Sequence, residues 1–152
     1  MPLTRRHVLL SALAAPAVLT LSRPASAREP EVFQSAGVAI NGTDPVAYFS
    51  GNGPVPGSAD HAVTWLGATW HFAARANREA FERDPMRHAP VFGGYCAYAA
   101  SRGYLAPTQP EAWTVHEGRL YLNANLRARE LWLQDIPGNI AKGQANWPGI
   151  LG

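Results

Sequence analysis

Two segments of the chain alternate apolar and polar residues on both sides of a short turn signal. The first covers residues 61–72 around Leu66-Gly67, and the second covers residues 113–122 around Glu117-Gly118. Aromatic and β-branched residues that flank a two-residue turn in this way are typical of β-hairpins. The pattern therefore predicts two hairpins, separated by about forty residues.

Apolar residues at helical spacing predict three to four short helices between and after these hairpins. The predicted helices are residues 73–81, ending before Asp84-Pro85; residues 95–100; residues 126–134, capped by Asn123 or Asn125; and a last segment that follows Pro137-Gly138 and ends at Trp147-Pro148. Asp44 precedes Pro45 and is expected to cap or close a turn. Two hairpins and these helices make a small single domain of the α+β class.

The start of the chain has a different pattern from the rest. A short basic segment with Arg5-Arg6 precedes an apolar run at residues 8–21, and Ala25-Ser26-Ala27 supplies the small residues that a signal peptidase recognises. The apolar run is too short to cross a bilayer comfortably. Residues 4–9 resemble the twin-arginine motif, which directs the export of folded proteins from bacteria.

These features predict a twin-arginine signal peptide at residues 1–27, cleaved after Ala27, and a mature domain at residues 28–152 in the periplasm. An ordinary secretory signal with two adjacent arginines is the alternative. Residues 1–27 hold three of the 13 basic residues and none of the 11 acidic ones, so ten basic residues face 11 acidic ones in the mature domain. This balance argues against a nucleic-acid partner and a polybasic membrane surface. No stable membrane anchor is expected after cleavage.

Cys96 is the single cysteine of the chain, and one thiol cannot form an internal disulfide in an oxidising compartment. Gly93-Gly94 lets the backbone turn sharply just before it and lets a ligand approach closely. A helix that begins near Tyr95 would place Cys96 in its first turn, where the helix dipole stabilises a thiolate. Cys96 is the candidate reactive residue, and the alternative is a buried cysteine that packs as a small apolar side chain.

Three histidines are candidates to join Cys96 in a metal site. His61 and His71 belong to the first hairpin, whose two-residue turn would bring them together at its open end, and His88 lies eight residues before the cysteine. One thiolate with one or two imidazoles, with the thioether of Met86 as a further ligand, suits copper, especially Cu(I), and then zinc. No pair has the spacing of a known metal motif, so a surface histidine is the alternative for each.

Several segments of the mature domain resemble the YHS domain, and most closely the exported bacterial YHS-domain proteins, some of which carry selenocysteine at the position of Cys96. The segments are residues 44–49, 65–72, 77–81, 84–85, 89–97, 118–123 and 132–147, together with Trp113. The resemblance implies a YHS-like fold and a strong soft nucleophile or ligand at Cys96. The cysteines through which short YHS modules bind metals have no counterpart here, because Ala47, Ala73 and Ala74 stand at those positions.

Three functions remain open. The first is a metal-binding module, with copper or zinc held by Cys96 and a histidine, and it predicts that Cys96→Ala abolishes binding. The second is a thiol-dependent redox enzyme with Cys96 as nucleophile and a small thiol or peroxide as partner, because the chain has no resolving cysteine. The third is a non-catalytic module that binds a small ligand or a protein in an aromatic pocket, for which Tyr48, Tyr95 and Tyr98 are candidates. It predicts that Cys96→Ser changes little.

Overall fold

The computed structural model describes residues 26–152, so the predicted signal peptide, apart from Ser26 and Ala27, lies outside the described residues. The described part of the chain folds into a four-stranded sheet, a separate two-stranded hairpin and five α-helices. This arrangement confirms the predicted α+β class. None of the helices within residues 26–152 has the length and apolar character that a membrane crossing requires.

The larger sheet contains the first predicted hairpin. Its strands, in spatial order, are β1 (Gln34–Ser35), β2 (Val38–Ala39), β4 (Ala68–Phe72) and β3 (Ser58–Trp65). Strands β3 and β4 are antiparallel, with Trp65 opposite Ala68 across the Leu66-Gly67 turn. Strands β1 and β2 form a further short hairpin, and β2 runs parallel to β4. Strands of two residues show no alternation, and the sequence pattern therefore does not predict them.

The second predicted hairpin and the helices complete the domain. The hairpin consists of β5 (Trp113–His116) and β6 (Arg119–Leu122). The helices are α1 (Arg75–Arg83), α2 (Pro85–His88), α3 (Ala97–Ser101), α4 (Leu126–Leu133) and α5 (Ile136–Asn146). Short 3-10 turns occupy Ile40–Gly42, Ala47–Ser50, Val91–Gly94 and Gly149–Leu151. The predicted helices therefore exist, with one more short helix than expected.

Two helix boundaries differ from the prediction because a capping residue acts where a break was expected. Asp84-Pro85 ends α1 and also begins α2, since the Asp84 side chain accepts a backbone hydrogen bond there. Pro137-Gly138 lies inside the first turn of α5, which Asp135 caps, and proline is tolerated in a first turn. Between the two asparagines proposed as the cap of α4, Asn125 is the one that caps it.

Asp44 closes a turn, as predicted, and also fixes the junction between β4 and α1. Its carboxylate is completely buried. Oδ1 accepts hydrogen bonds from Val46 N and Ala47 N, while Oδ2 accepts from Ala73 N and from Asn77 Nδ2, over distances of 2.7 to 3.3 Å. One side chain thus joins the loop before β3 to the segment that follows the sheet.

The core consists of two clusters of buried side chains that meet at strand β6. The first cluster packs the sheet against α1 and contains Val32, Ala39, Ile40, Tyr48, Ala68, Trp70, Phe72, Phe81, Ala89, Leu120 and Leu122. The second cluster contains Phe92, Ala97, Ala100, Tyr121 and Trp132. Because successive side chains of a strand point to opposite faces, Leu120 and Leu122 join the first cluster and Tyr121 joins the second. Strand β6 is therefore the wall between the two clusters.

Candidate functional site

Cys96 is the N-cap residue of α3 and does not belong to its first turn, because the helix begins at Ala97. Its sulfur accepts a hydrogen bond from Ala99 N at 3.4 Å, which is the bond that an N-cap side chain normally makes. The residue is 1% exposed, and its own N–H donates to Ala106 O. The predicted position in the first turn is wrong by one residue, and the sulfur serves the helix as a cap.

Asn123 determines how the Cys96 thiol is oriented. Its Oδ1 lies 3.5 Å from Sγ and 3.0 Å from Tyr98 N. Since a backbone N–H can only donate, Oδ1 is the acceptor for both neighbours, and the thiol hydrogen points toward it. The thiol hydrogen is therefore engaged in a hydrogen bond within the fold.

The candidate histidines occupy different elements of the fold. His71 in β4 is opposite Ala62, and beyond this pair the register of β3 shifts, so that His61 has no residue opposite it. His61 and His71 are therefore not cross-strand partners, because a two-residue turn at Leu66-Gly67 places Ala62 opposite His71. His88 ends α2, where its Nδ1 lies 2.9 Å from Asp84 O. That ring nitrogen therefore donates to a carbonyl within its own helix.

The structure does not gather these residues into a metal-binding group. Within residues 26–152, no three or more His, Cys, Asp or Glu side chains are placed together as metal ligands. The hydrogen bonds of the Cys96 sulfur go to Asn123 and to the backbone of α3. The predicted copper or zinc site, with Cys96 and one or more of His61, His71 and His88 as ligands, stays a prediction.

A largely apolar pocket lies elsewhere, at the boundary between the two core clusters. Its volume is about 250 Å³, and we call it the seam pocket. Trp65 and Trp70 line it from the side of the first cluster, and Phe92 and Trp147 line it from the side of the second. Cys96 does not line it. Small-molecule sites are typically concave, mainly apolar and placed between structural units, and this volume lies just below their usual range.

The apolar edge of the seam pocket is exposed to solvent. Leu66, in the β3–β4 turn, is 43% exposed, and Met86, in α2, is 62% exposed. These two residues, which we call the rim, also line the pocket. Large exposed apolar side chains that border a concave apolar surface are typical of a binding site.

Two of the residues that line the seam pocket have a strained backbone. Leu66 has a φ of 49° and Phe92 a φ of 58°, in the left-handed region that bulky side chains rarely adopt. Leu66 shares the turn with Gly67, whose φ is also positive at 74°. Such a turn favours Asn or Gly at both positions. Strained residues are concentrated at binding and catalytic sites, where the surrounding structure holds them in place.

Arg119, the first residue of β6, is the cation in the pocket lining. Its Nε is buried, and no described residue provides an acceptor for it. The acidic residue of the lining is Glu31, which is exposed and lies beyond ion-pair distance of Arg119. The wall is therefore mainly apolar, with Arg119, Glu31 and Gln144 as its charged and polar side chains, and no carboxylate of residues 26–152 lies within ion-pair distance of Arg119.

Most of the residues of this site were expected to be core. Trp65 and Trp70 fit the alternating pattern of a hairpin, and nothing in their spacing separates a pocket wall from a packed interior. The tyrosines proposed for a pocket near the cysteine do not build this one: Tyr48 is buried in the first cluster, and Tyr95 lines a different cleft. One signal was available, namely a leucine beside Gly67 at a turn position that normally carries Asn or Gly.

Comparison of the chain with protein-family models, with curated proteins and with solved structures gave no significant match. The resemblance to exported YHS-domain proteins therefore stays a prediction, supported by the sequence motifs alone.

Proposed function

We propose that the mature domain is a non-catalytic binding module of the periplasm and that its ligand is a small apolar molecule held in the seam pocket. The observation that carries the proposal is the apolar seam pocket itself, bordered by the exposed apolar side chains of Leu66 and Met86. The periplasmic location and the relationship to YHS-domain proteins are parts of the same proposal, because they rest on residues 1–27 and on the sequence motifs.

Folding alone gives little reason for the seam pocket. The pocket, about 250 Å³ in volume, is open to solvent at its rim, so other side chains of the described residues do not cover its apolar walls. A ligand would make dispersion contacts with those walls and remove apolar surface from water. Each 100 Å² of apolar surface buried in this way contributes roughly 2.5 kcal/mol before the entropic cost of association.

The rim supports the same function. A leucine at a left-handed turn position costs free energy, and exposure of 43% means that burial of its side chain does not fully offset that cost. Met86 is flexible and still more exposed, and methionine adapts its shape to different apolar partners. Contact with a ligand at the mouth of the pocket would give Leu66 and Met86 an apolar binding partner, which the fold without a ligand does not provide.

The proposal assigns Cys96 a structural role. The sulfur is 1% exposed, caps α3 and donates its hydrogen to Asn123, so both of its hydrogen-bonding functions are used within the fold. Copper binding and thiol redox chemistry each require the sulfur to leave these partners. The binding-module hypothesis does not require this rearrangement.

Binding can be tested with naphthamide, a neutral bicyclic compound whose size suits the seam pocket. Three of the five tryptophans line the pocket, so their fluorescence reports occupancy directly. We expect saturable quenching with one equivalent bound per chain. Absence of saturable binding by naphthamide and by simple apolar aromatics of similar size would overturn the proposal.

Rim variants locate the bound compound. Met86→Gln and Leu66→Asn are expected to weaken naphthamide binding several-fold, because each removes apolar contact at the mouth of the pocket. Leu126→Gln is the matched control, since Leu126 is as exposed as Met86, at 62%, and does not line the pocket. Equal losses in Met86→Gln and Leu126→Gln would place the compound outside the seam pocket.

A further inference from the structure

The geometry points to a ligand that carries an anionic group, bound by Arg119, so that the natural ligand class is a small aromatic or aliphatic acid. This inference rests on the proposed function, because it concerns the same seam pocket. It adds a polar contact that fixes the orientation of the ligand and selects acids over neutral compounds of the same shape.

The position of Arg119 follows from the alternation along β6. Leu120 and Leu122 point into the first cluster, so Arg119 and Tyr121 share the opposite face of the strand. Its backbone is held in the β5–β6 ladder opposite His116, which fixes where the side chain begins. A cation on a paired strand is a better defined contact than one on a free loop.

The Arg119 guanidinium lacks the hydrogen-bond acceptor and the nearby carboxylate that a half-buried guanidinium usually has. Nε is buried without an acceptor among residues 26–152, and no carboxylate of those residues lies within ion-pair distance of Arg119. The seam pocket that it lines is mainly aromatic and aliphatic; the other polar side chains of the lining are Gln144 and the exposed Glu31, and Arg119 Nε has no hydrogen-bond partner among them. A polar group in such surroundings destabilises the protein until it finds a partner.

A carboxylate is the group that best supplies that partner. The planar guanidinium presents several N–H donors in a fixed arrangement that matches the two oxygens of a carboxylate, and charge-assisted hydrogen bonds of this kind are among the strongest in proteins. A cationic ligand would instead place a like charge beside Arg119. A neutral ligand would fill the apolar volume but leave the donors unsatisfied.

Glu31 does not cancel this preference. It is exposed on the chain segment before β1, so water screens its charge, while Arg119 is only partly exposed. The pocket therefore has one screened acid at its surface and one less screened cation in its wall. The balance favours a negatively charged group at the Arg119 end.

The experiment compares naphthoate with naphthamide, two probes of nearly the same shape that differ in charge. We expect the wild-type protein to bind naphthoate about tenfold or more tightly than naphthamide, the size of effect expected for a charge-assisted hydrogen bond. In Arg119→Gln the ratio of the two affinities should fall to about one. Arg127→Gln is the control, because Arg127 is exposed on α4 and its loss changes the net charge equally.

The outcomes separate the two proposals. Equal affinity for both probes in the wild type, or a naphthoate preference that survives in Arg119→Gln or is lost equally in Arg127→Gln, would overturn the inference and leave the apolar site standing. Failure of both probes to bind the wild type would overturn the proposed function, and the inference with it. A circular dichroism spectrum and melting temperature of Arg119→Gln close to those of the wild type establish that a lost preference is not a folding defect.

Discussion

The thiol of Cys96 donates its hydrogen to Asn123 Oδ1 across 3.5 Å, and the same oxygen accepts from Tyr98 N at 3.0 Å. One buried amide oxygen thus holds both the capping residue and the first turn of α3. The sulfur completes the arrangement by accepting from Ala99 N. A cysteine used in this way needs only the geometry of a small polar side chain, and that requirement can be tested by substitution.

Cys96→Ser is expected to keep most of the stability that Cys96→Ala loses. A serine hydroxyl can donate to Asn123 and accept from Ala99 N, and serine is a favoured N-cap residue, whereas alanine does neither. The loss of a cap costs about 1 kcal/mol. Urea unfolding of the two variants measures the difference, and equal destabilisation by both would show that the cap role of the sulfur is unimportant.

The burial of Cys96 predicts that its thiol reacts slowly with a bulky aromatic disulfide reagent in the native protein and rapidly in denaturant. At 1% exposure, the reagent reaches the sulfur only when α3 opens. The copper hypothesis predicts a different result in a parallel measurement: reduced wild-type protein would retain one equivalent of Cu(I) against a chelator, and Cys96→Ala would not. That result would show that the sulfur leaves its partners to bind metal.

Leu66→Asn is expected to stabilise the free protein while it weakens ligand binding. The turn requires positive φ at both central residues, and an Asn-Gly pair meets that requirement better than Leu66-Gly67. The gain should be about 1 kcal/mol, typical of a corrected turn residue. Thermal melting without ligand, combined with naphthamide titration, gives both quantities. A variant that is destabilised as well as weaker in binding would contradict a functional origin of the strain.

Asp44→Ala is expected to destabilise the domain by at least about 3 kcal/mol, because four donors lose their shared acceptor in a buried site. Asp44→Asn should be intermediate, since its amide keeps one acceptor oxygen and turns two hydrogens toward existing donors. Asp60→Asn is a suitable control: Asp60 is exposed, and its replacement should change the free energy of unfolding by less than about 0.5 kcal/mol. Equal effects at both positions would contradict the structural role of Asp44.

The buried tyrosines predict a loss of stability in alkali. Burial raises the pKa of Tyr48 far above its usual value near 10, and burial also raises the pKa of Tyr95 and Tyr121. The folded state therefore holds these protons longer than the unfolded state does. The contribution of these tyrosines to the free energy of unfolding should be constant below about pH 10 and fall above it, by up to about 1.4 kcal/mol per pH unit for each tyrosine that stays protonated.

Tyr48→Phe separates the contribution of one tyrosine. The variant loses the hydrogen bond that Tyr48 Oη donates to Pro110 O at 3.0 Å, so it should be about 1 kcal/mol less stable at neutral pH. Its stability should then fall less steeply above pH 10 than that of the wild type. Parallel pH profiles for the two proteins would show that Tyr48 ionises as easily in the fold as in the unfolded chain.

The sequence predicts the elements that carry their own local signal. Strands β3 and β4 alternate around a two-residue turn, and α4 begins one residue after the Asn125 cap, so both were predictable. The parallel pairing of β2 with β4 was not, because it depends on contacts between residues far apart in the chain. The sharp turn at Gly93-Gly94 was predicted, but its extension back to Val91 was not, since a left-handed Phe92 follows from tertiary packing and not from propensity.

The candidate site likewise has features that the sequence predicts and features that it does not. Cys96 was identified because a single cysteine is visible in any sequence, but its cap role depends on Asn123, which is distant in the chain. The seam pocket was not predicted, because its walls use the same aromatic residues that fill the core. Arg119 had no sequence signal beyond being a cation in a mostly apolar strand.

The position of β6 between the two clusters has a consequence for the local unfolding of the domain. Without a ligand, the two walls of the seam pocket are not held together by a bound molecule. One wall contains Phe92 and Trp147, and the other contains Trp65 and Trp70. The second cluster, with α3 and α5, can then open as a unit of its own, and its amides should exchange hydrogen faster than those of the sheet. A bound ligand would join the two units into one cooperative structure, so hydrogen exchange would slow even in α3, which does not line the pocket.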